Sequence, residues 1–600
     1  MAGSKTDRMS ILQRVALWLN VQTRRISGRQ LTYILAVVVG LASGGVTCIF
    51  EWLLELIKSS LTSWFPKENV GWLYLLYPMV GIILASLFVR FVVRDDISEG
   101  VTKVLKAMST NSSKIKPHNS YSSVVGGALT IGFGGSVGPE APIVLTGAAI
   151  GSNIGQLMKL NYRGLTLMLA CGVAAALSAI FKAPITGVIF VMEILLLDMS
   201  MTAIIPLIIS SVTAVTLTFF VRGFEPMLSA STIGDLEFAH IPVYTLLAVL
   251  CGLMCYYFTS VNFYIKGLID KLGRQWRKWL VGGLALGVMI MLFPPLYGEG
   301  YGIFHHFMKG DVQAVFDNSG FYGFRENEWV VLGYMLTIMF VKVVAMAVTN
   351  ASGGVGGTFA PSLFVGSFVG AIVAYVGNTF FGADLSIAAF ALVGMAGLMS
   401  GVMKAPLTAV FLIAEISSAY QLFVPLMLVS CVSYVMSRYL EPDSIYTKTL
   451  RKKGQLLTHD KDQAVSVVLS IRSLIETNIV SVGEYDTLGD MVVRVIPHTT
   501  RNIFPVLNSE GGLMGIVEFD KLRKDMFDQS KYPNSVQRYM TTPPDVIYDG
   551  ESASSVLEKF ENTGAWNLPV VDQDGHYLGF VSKSRILTAY REKLKEMTQE

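Results

Sequence analysis

Residues 122–222 are almost continuously apolar, yet glycine and proline break them repeatedly, and residues 330–438 return to the same texture. The return is a repeat. Gly135-Ser136-Val137-Gly138-Pro139 matches Gly357-Thr358-Phe359-Ala360-Pro361 at an offset of 222 (361 minus 139). The same offset aligns 171–194 with 393–416, pairing Gly172 with Gly394, Ser178 with Ser400, Lys182 with Lys404, Thr186 with Thr408 and Glu193 with Glu415. Apolar runs of this length belong in a bilayer, where broken helices survive only where they are buried in protein or line a cavity. Folds built from such repeats place a substrate near the midplane, where broken helices from both halves converge. The residues alone leave open whether the repeat is parallel or inverted.

The stretch 132–140 has glycines, then Pro139, then the helix-like run 141–157. Glycine permits the break, proline suits a first helical turn, and the free N–H groups of a helix start attract an anion. An anion-binding helix end at membrane depth is expected here.

The chain is 52 % hydrophobic and only 15 % charged, which excludes a large soluble enzyme and describes a polytopic α-helical membrane protein. No nucleophile–base set, phosphate-binding loop or metal cluster is recognisable, so neither enzyme activity nor a metal is expected. A net charge of +3 gives no reason to expect nucleic acid. Lys5, Arg8, Arg14, Arg24, Arg25 and Arg29 face a single acid, Asp7, before the first apolar run, which predicts a cytoplasmic N-terminus. Residues 32–56, 74–94, 242–266 and 279–296 read as spans, Trp64–Trp72 as an interfacial turn, and 297–328, with His305 and His306, as a polar connection. The five cysteines lie in apolar stretches and suggest buried thiols. After Tyr446 the composition turns mixed and charged. Residues 502–522 and 567–587 each read as strand, glycine-bearing turn, strand and helix start, a second duplication in a soluble α/β region.

Together these motifs resemble the CLC family of chloride channels and proton-coupled anion exchangers. Gly135–Pro139 stands where that family has a GREGP-like sequence, Gly357–Pro361 matches its GxFxP element, and Tyr446 follows the last membrane helix as the family's pore tyrosine does. The resemblance implies an inverted repeat with halves at about 31–222 and 242–446. It gives a cytoplasmic segment 1–30, an anion-conducting domain 31–446, and a cytoplasmic region 447–600 with tandem CBS modules at about 475–528 and 536–592. It further implies a lipid-embedded homodimer in the plasma (inner) membrane, both termini cytoplasmic, taking chloride or a similar small anion. The anion site falls to backbone N–H groups around Val137–Gly138 and Phe359–Ala360, to the Tyr446 hydroxyl, and to the segment Ser98-Glu99-Gly100.

Two departures from the family pattern set the functional expectation. The gating and proton-carrying glutamate falls at Val137, and the internal proton-relay glutamate at Ile194. A passive, voltage- or ligand-modulated chloride channel follows. The alternatives are a proton-coupled antiporter using Glu99 or Glu140, and a transporter of larger solutes regulated by its CBS modules. Glu140 is read first as a first-turn acid complementing the helix dipole rather than a displaced gate. Glu99 either points to water, leaving Ser98 on the pore, or forms a pH-sensitive inner gate. Glu193 and Glu415, being repeat-related, are read as structural. An adenine nucleotide between CBS modules is in doubt, since Glu518 and Lys521 replace the expected Ser/Thr and Asp of the first copy and only Ser582 persists in the second.

Overall fold

A computed structural model of the chain describes residues 27–62, 72–195, 201–224, 227–228, 240–452 and 471–598. Most of the N-terminal segment expected to be cytoplasmic, and the turn at Trp64–Trp72 except Trp72 itself, lie outside these residues. The chain divides into two compact units, Met1–Lys453 and Gly454–Glu600.

The first unit is helical. Its first half runs α1 (Gly28–Thr62), α2 (Tyr77–Leu87), α3 (Gly100–Thr110), α4 (Asn119–Gly132), α5 (Glu140–Leu157), α6 (Tyr162–Phe181), α7 (Pro184–Ile194) and α8 (Met201–Arg222). Its second half runs α9 (Ile241–Asp270), α10 (Gln275–Leu292), α11 (Tyr301–Met308), α12 (Glu328–Ala351), α13 (Phe359–Phe381), α14 (Ile387–Met403), α15 (Pro406–Ser417) and α16 (Phe423–Leu440). Seven of the described helices are long and apolar enough to cross a membrane, and α7, α14 and α15 are shorter apolar pieces. On α1, Ile34, Val37, Val38, Leu41 and Trp52 are exposed, a face suited to lipid rather than water. The expected polar connection contains a helix, α11, because Ile303, Phe304, Phe307 and Met308 form a buried stripe at helical spacing.

The two halves repeat in structure. Helices α5 and α6 cross so closely that a Cβ on Gly147 would stand 2.2 Å from the Gly172 carbonyl oxygen, and α13 and α14 cross likewise at Gly366 and Gly394, with 2.4 Å. Bare glycines let the backbones meet. Lys182 and Lys404 end α6 and α14 in the left-handed conformation, at φ 55° and 60°. The membrane carboxylates then cross over. Glu415 accepts the N–H groups of Ile185 at 3.0 Å and Thr186 at 2.8 Å, capping α7. Glu193 accepts those of Leu407 at 3.1 Å and Thr408 at 2.8 Å, capping α15. This reciprocal arrangement gives both acids a structural role.

The offset, however, is not uniform. Gly151 and Gly370 occupy the same place in the two crossings, each with a Cβ position 1.9 Å from a carbonyl oxygen, that of Met168 and that of Phe390. Helices α5 and α13 therefore correspond at 219 (370 minus 151, and 366 minus 147), whereas α6 and α14 correspond at 222 (390 minus 168). The three extra residues lie between the two crossings, from Gly370 to Phe390 against Gly151 to Met168, where α13 runs on further than α5 and the connection after it is one residue longer. The sequence match of Gly135–Pro139 with Gly357–Pro361 is thus out of structural register by three residues. Glu140, the first residue of α5, corresponds to Phe359, the first residue of α13.

The second unit holds two like modules. In the first, β1 (Val482–Gly483) runs parallel to β2 (Ile503–Leu507), β2 antiparallel to β3 (Leu513–Glu518), and β3 antiparallel to β4 (Met540–Thr541). In the second, β5 (Ile547–Tyr548) is parallel to β6 (Asn567–Val571), and β6 antiparallel to β7 (Tyr577–Ser582). Val506 opposite Gly515 is matched by Val570 opposite Gly579, with a register shift at the next residue in both. Each module buries its own apolar core, and Ile479, Ile516 and Phe580 form a smaller cluster joining them.

Candidate anion pathway

Two helix starts meet head to head. The residues preceding α5 and α13 lock together through a pair of backbone hydrogen bonds, Gly138 N–H to the Gly357 carbonyl at 3.0 Å and Gly357 N–H to the Gly138 carbonyl at 2.7 Å. Each helix then continues with two N–H-bearing residues and a proline, Glu140-Ala141-Pro142 and Phe359-Ala360-Pro361. The first N–H groups of a helix have no partner in their own helix, and proline has none to offer. The sequence therefore leaves four donors, two from each half, in one small volume.

That geometry corrects the expected donors around Val137–Gly138. The Val137 N–H is bonded to the Gly135 carbonyl at 2.9 Å, that of Gly135 to the Thr130 carbonyl at 2.8 Å, and that of Ser136 to the Thr349 hydroxyl at 3.3 Å. With Gly138 bonded to Gly357, this loop is satisfied internally. Pro139 caps α5 and carries no N–H. The Val137 side chain is fully buried and packs toward Gly356, whose Cβ would stand 2.2 Å from the valine Cγ2.

The side chain that does enter the site is Glu140, 2 % exposed. Its Oε1 accepts the Tyr301 hydroxyl at 3.0 Å, and its carboxylate faces the N–H groups of Glu140 itself and of Ala360. Its Oε2 lies so close to the loop that a Cβ on Gly138 would stand 2.0 Å away and one on Gly357 3.1 Å away. Bare glycines make the space. The carboxylate takes the place that an anion would take between the two helix starts.

A cavity opens on either side. One, of about 380 Å³, is walled by Ser98, Glu99, Gly100, Ala141, Gly357 and Tyr446 among others. The buried Tyr446 hydroxyl faces Thr358, the residue before α13, and Ala141, the residue after Glu140, lies on the same wall. The segment Ser98-Glu99-Gly100 lies on its wall as expected, but Ser98 is engaged, its hydroxyl donating to Asp96 at 2.6 Å, and Glu99 is ion-paired with Lys266 of α9. The other basin, of about 490 Å³, is walled by Glu51, Lys58, Pro139, Arg222, Glu299 and Tyr301 among others. There Arg222 pairs with Glu51 and Glu55. Lys342, fully buried on α12, donates to the Gly298 carbonyl at 3.0 Å beneath the Phe364 ring, fixing the connector that carries Tyr301. Tyr301, Lys342 and Lys266 were not singled out in the sequence, because each acts through a partner distant in the chain.

Ile194, at the position of the relay acid, is buried at the end of α7. In the second unit, the Ser582 hydroxyl donates to the Glu476 carboxylate at 3.2 Å, with Arg501 paired to the same group and Arg585 at 3.7 Å. A nucleotide phosphate held by Ser582 would meet that buried carboxylate, so these residues do not fit an adenine nucleotide.

Two membrane-embedded half-repeats, whose helix starts converge on one anion-sized site between two basins, define an anion-transporting membrane protein. Its family follows from comparison with known proteins. The family model described as voltage gated chloride channel matches residues 80–438, and the CBS domain model matches 536–592. The chain belongs to the CLC family and carries a C-terminal CBS domain. It is 25 % identical over 394 residues to a putative chloride channel protein ClcB-like from Ralstonia nicotianae, covering 64 % of this chain and 86 % of that one. It is also 25 % identical over 488 residues to the H(+)/Cl(-) exchange transporter ClcA of Salmonella paratyphi B, covering 77 % and 97 %. The crystal structure of a slow cyanobacterial Cl-/H+ antiporter superposes with a TM-score of 0.60 at 24 % identity, covering 70 % of this chain and 97 % of that one. A eukaryotic CLC transporter gives 0.59 at 15 % identity over 95 % and 98 %. These likenesses establish the inverted-repeat fold and chloride transport across a membrane.

Proposed function

We propose that this protein exchanges chloride for protons, with Glu140 as both gate and proton carrier, rather than conducting chloride passively as the Val137 alignment led us to expect. One observation carries the reading: the Glu140 carboxylate lies between the two helix starts, and its chain neighbours Ala141 and Pro139 line one basin each. Chloride and a carboxylate compete for the same N–H groups. Chloride entry requires the carboxylate to leave, and protonation removes the charge that holds it at the helix ends. Each vacated site therefore brings a proton to Glu140 as an anion arrives. The Tyr446 basin is the cytoplasmic one, both termini are cytoplasmic, and the chain works as a homodimer in the plasma membrane with one such path per subunit.

The buried Ile194 favours a second reading, a proton-gated leak in which Glu140 opens the path without moving protons across. The two separate in proteoliposomes under an imposed chloride gradient. Exchange drives protons uphill in the wild-type protein, and Glu140→Gln abolishes proton movement while chloride still flows without pH dependence. Chloride flow in the wild type with no proton movement returns the protein to the passive class.

A further inference from the structure

Glu99 stands directly before α3, at the position whose side chain usually accepts the first N–H groups of its helix. It does not do so here. Its side chain makes no capping bond, and its Oε1 is instead ion-paired with the Lys266 ammonium from α9. The donors thus left uncapped, on Gly100, Val101 and Thr102, belong to residues on the wall of the Tyr446 basin. Glu99 and Lys266 are on the same wall, each side chain about four-tenths exposed to the basin, at 41 % and 42 %. The other charges there are occupied. Asp270 is bonded to Lys278 at 2.6 Å, and Asp96 accepts both the N–H and the hydroxyl of Ser98. Among the described residues Lys266 is the cation paired with Glu99.

We propose that Lys266 is a positioning residue for transport: it holds the Glu99 carboxylate off the α3 helix start and so keeps the Tyr446 basin passable to anions. A carboxylate in an anion path repels the anion, and one lodged on the helix start also takes the donors an anion would use. Without Lys266, Glu99 is free to turn back and cap α3, and its charge is no longer neutralised. The two acts have the same sign. The acid at this position is therefore tolerable because of a lysine placed 167 residues further along the chain.

This inference rests on the anion path described above, but not on its coupling to protons. The test is chloride efflux from proteoliposomes for Lys266→Met, Lys266→Arg, Glu99→Gln and the double variant Lys266→Met/Glu99→Gln. Capping and dipole terms together predict that Lys266→Met lowers efflux roughly tenfold. Lys266→Arg keeps wild-type efflux, because the charge is kept. The decisive arm is the double variant, which returns efflux to within about twofold of wild type, since a neutral amide neither repels nor competes strongly. A brace whose loss merely loosens α3 against α9 would leave the double variant as slow as Lys266→Met, and that result overturns the proposal. So does an unchanged Lys266→Met. Absence of chloride efflux in the wild type would instead refute the transport function itself, and chloride efflux without proton coupling would leave this inference standing.

Discussion

Replacing Gly138 with alanine tests the gate by sterics rather than by charge. Gly138 is not among the glycines with positive φ, so alanine suits its backbone. The added Cβ would lie 2.0 Å from Glu140 Oε2, 2.9 Å from the carboxyl carbon and 2.9 Å from the Ala360 Cβ. The carboxylate is the end of a flexible side chain and yields most, while the Ala360 Cβ, set in α13, has also to shift slightly. Overpacking of this kind costs about 1–3 kcal/mol, and at about 1.4 kcal/mol per factor of ten the bound carboxylate is disfavoured roughly 5- to 150-fold. Chloride efflux measured with an ion electrode should therefore rise near neutral pH, where the wild type is held by Glu140. The difference should shrink as pH falls, because protonation releases the wild-type gate as well. Adding Gly138→Ala to Glu140→Gln should have little further effect, because the methyl group then has no carboxylate to expel. The reasoning fails if Gly138→Ala, folded as judged by its melting temperature, conducts no faster than wild type near neutrality. It fails equally if the extra methyl changes flux in the Glu140→Gln background.

Tyr301→Phe removes a donor from the same carboxylate, and the loss of a hydrogen bond to a charged group, about 1.5–3 kcal/mol, should raise neutral-pH efflux about tenfold or more while leaving the low-pH rate near wild type. Glu415→Ala strands the N–H groups of Ile185 and Thr186 at the start of α7, and should lower stability by about 1–3 kcal/mol, read as a fall in melting temperature in detergent; the pH profile of chloride flux should keep its midpoint. In the second unit, hydrogen bonds from Lys531 and Tyr539 hold Asp525 below the usual carboxylate range, and those from Thr487 do the same for Asp490. A carboxylate depressed in the folded state contributes stability above its unfolded value and loses it as pH falls through the folded one. Protection of β2 and β3 against hydrogen exchange, relative to the intrinsic rate at each pH, should therefore fall below about pH 4 in the full chain, and Asp525→Asn should flatten that dependence; an unaltered acid profile would refute the assignment.

How far the sequence could be read depends on which residues announced themselves. Periodicity and broken apolar runs were enough for a repeated membrane domain, because glycine and proline leave the same marks in both halves. The crossed caps of Glu193 and Glu415 were legible for the same reason: a duplicated acid beside the duplicated turns Lys182–Pro184 and Lys404–Pro406 points to a duplicated bond. The fourth contact segment was legible in place but not in state, since the partner of Glu99 is a lysine on α9 that no local pattern connects to it. The same holds for Ser582, whose hydroxyl is taken by Glu476 from the segment before β1.

The gate was misread for a more instructive reason. Two glycine–proline pairs lie near one another, Gly135 with Pro139 and Gly138 with Pro142, and only the second is in register with Gly357 and Pro361 in space. The first pair extends the 222-residue offset of the following block without a gap, so a comparison of letters prefers it. Packing prefers the other, because helix crossings demand that Gly147 meet Gly172 as Gly366 meets Gly394, while the helix end and loop that follow are free to differ in length. Loops tolerate insertion and close-packed glycine crossings do not. The crossings therefore fix the register, and that register puts a carboxylate where a three-residue slip had put valine. On this argument Val137→Glu should not reproduce the function of Glu140. Its side chain is aimed at Gly356 rather than at the two helix starts, so the substitution should lower stability by burying an unpaired acid, without adding a second pH-dependent step to chloride flux.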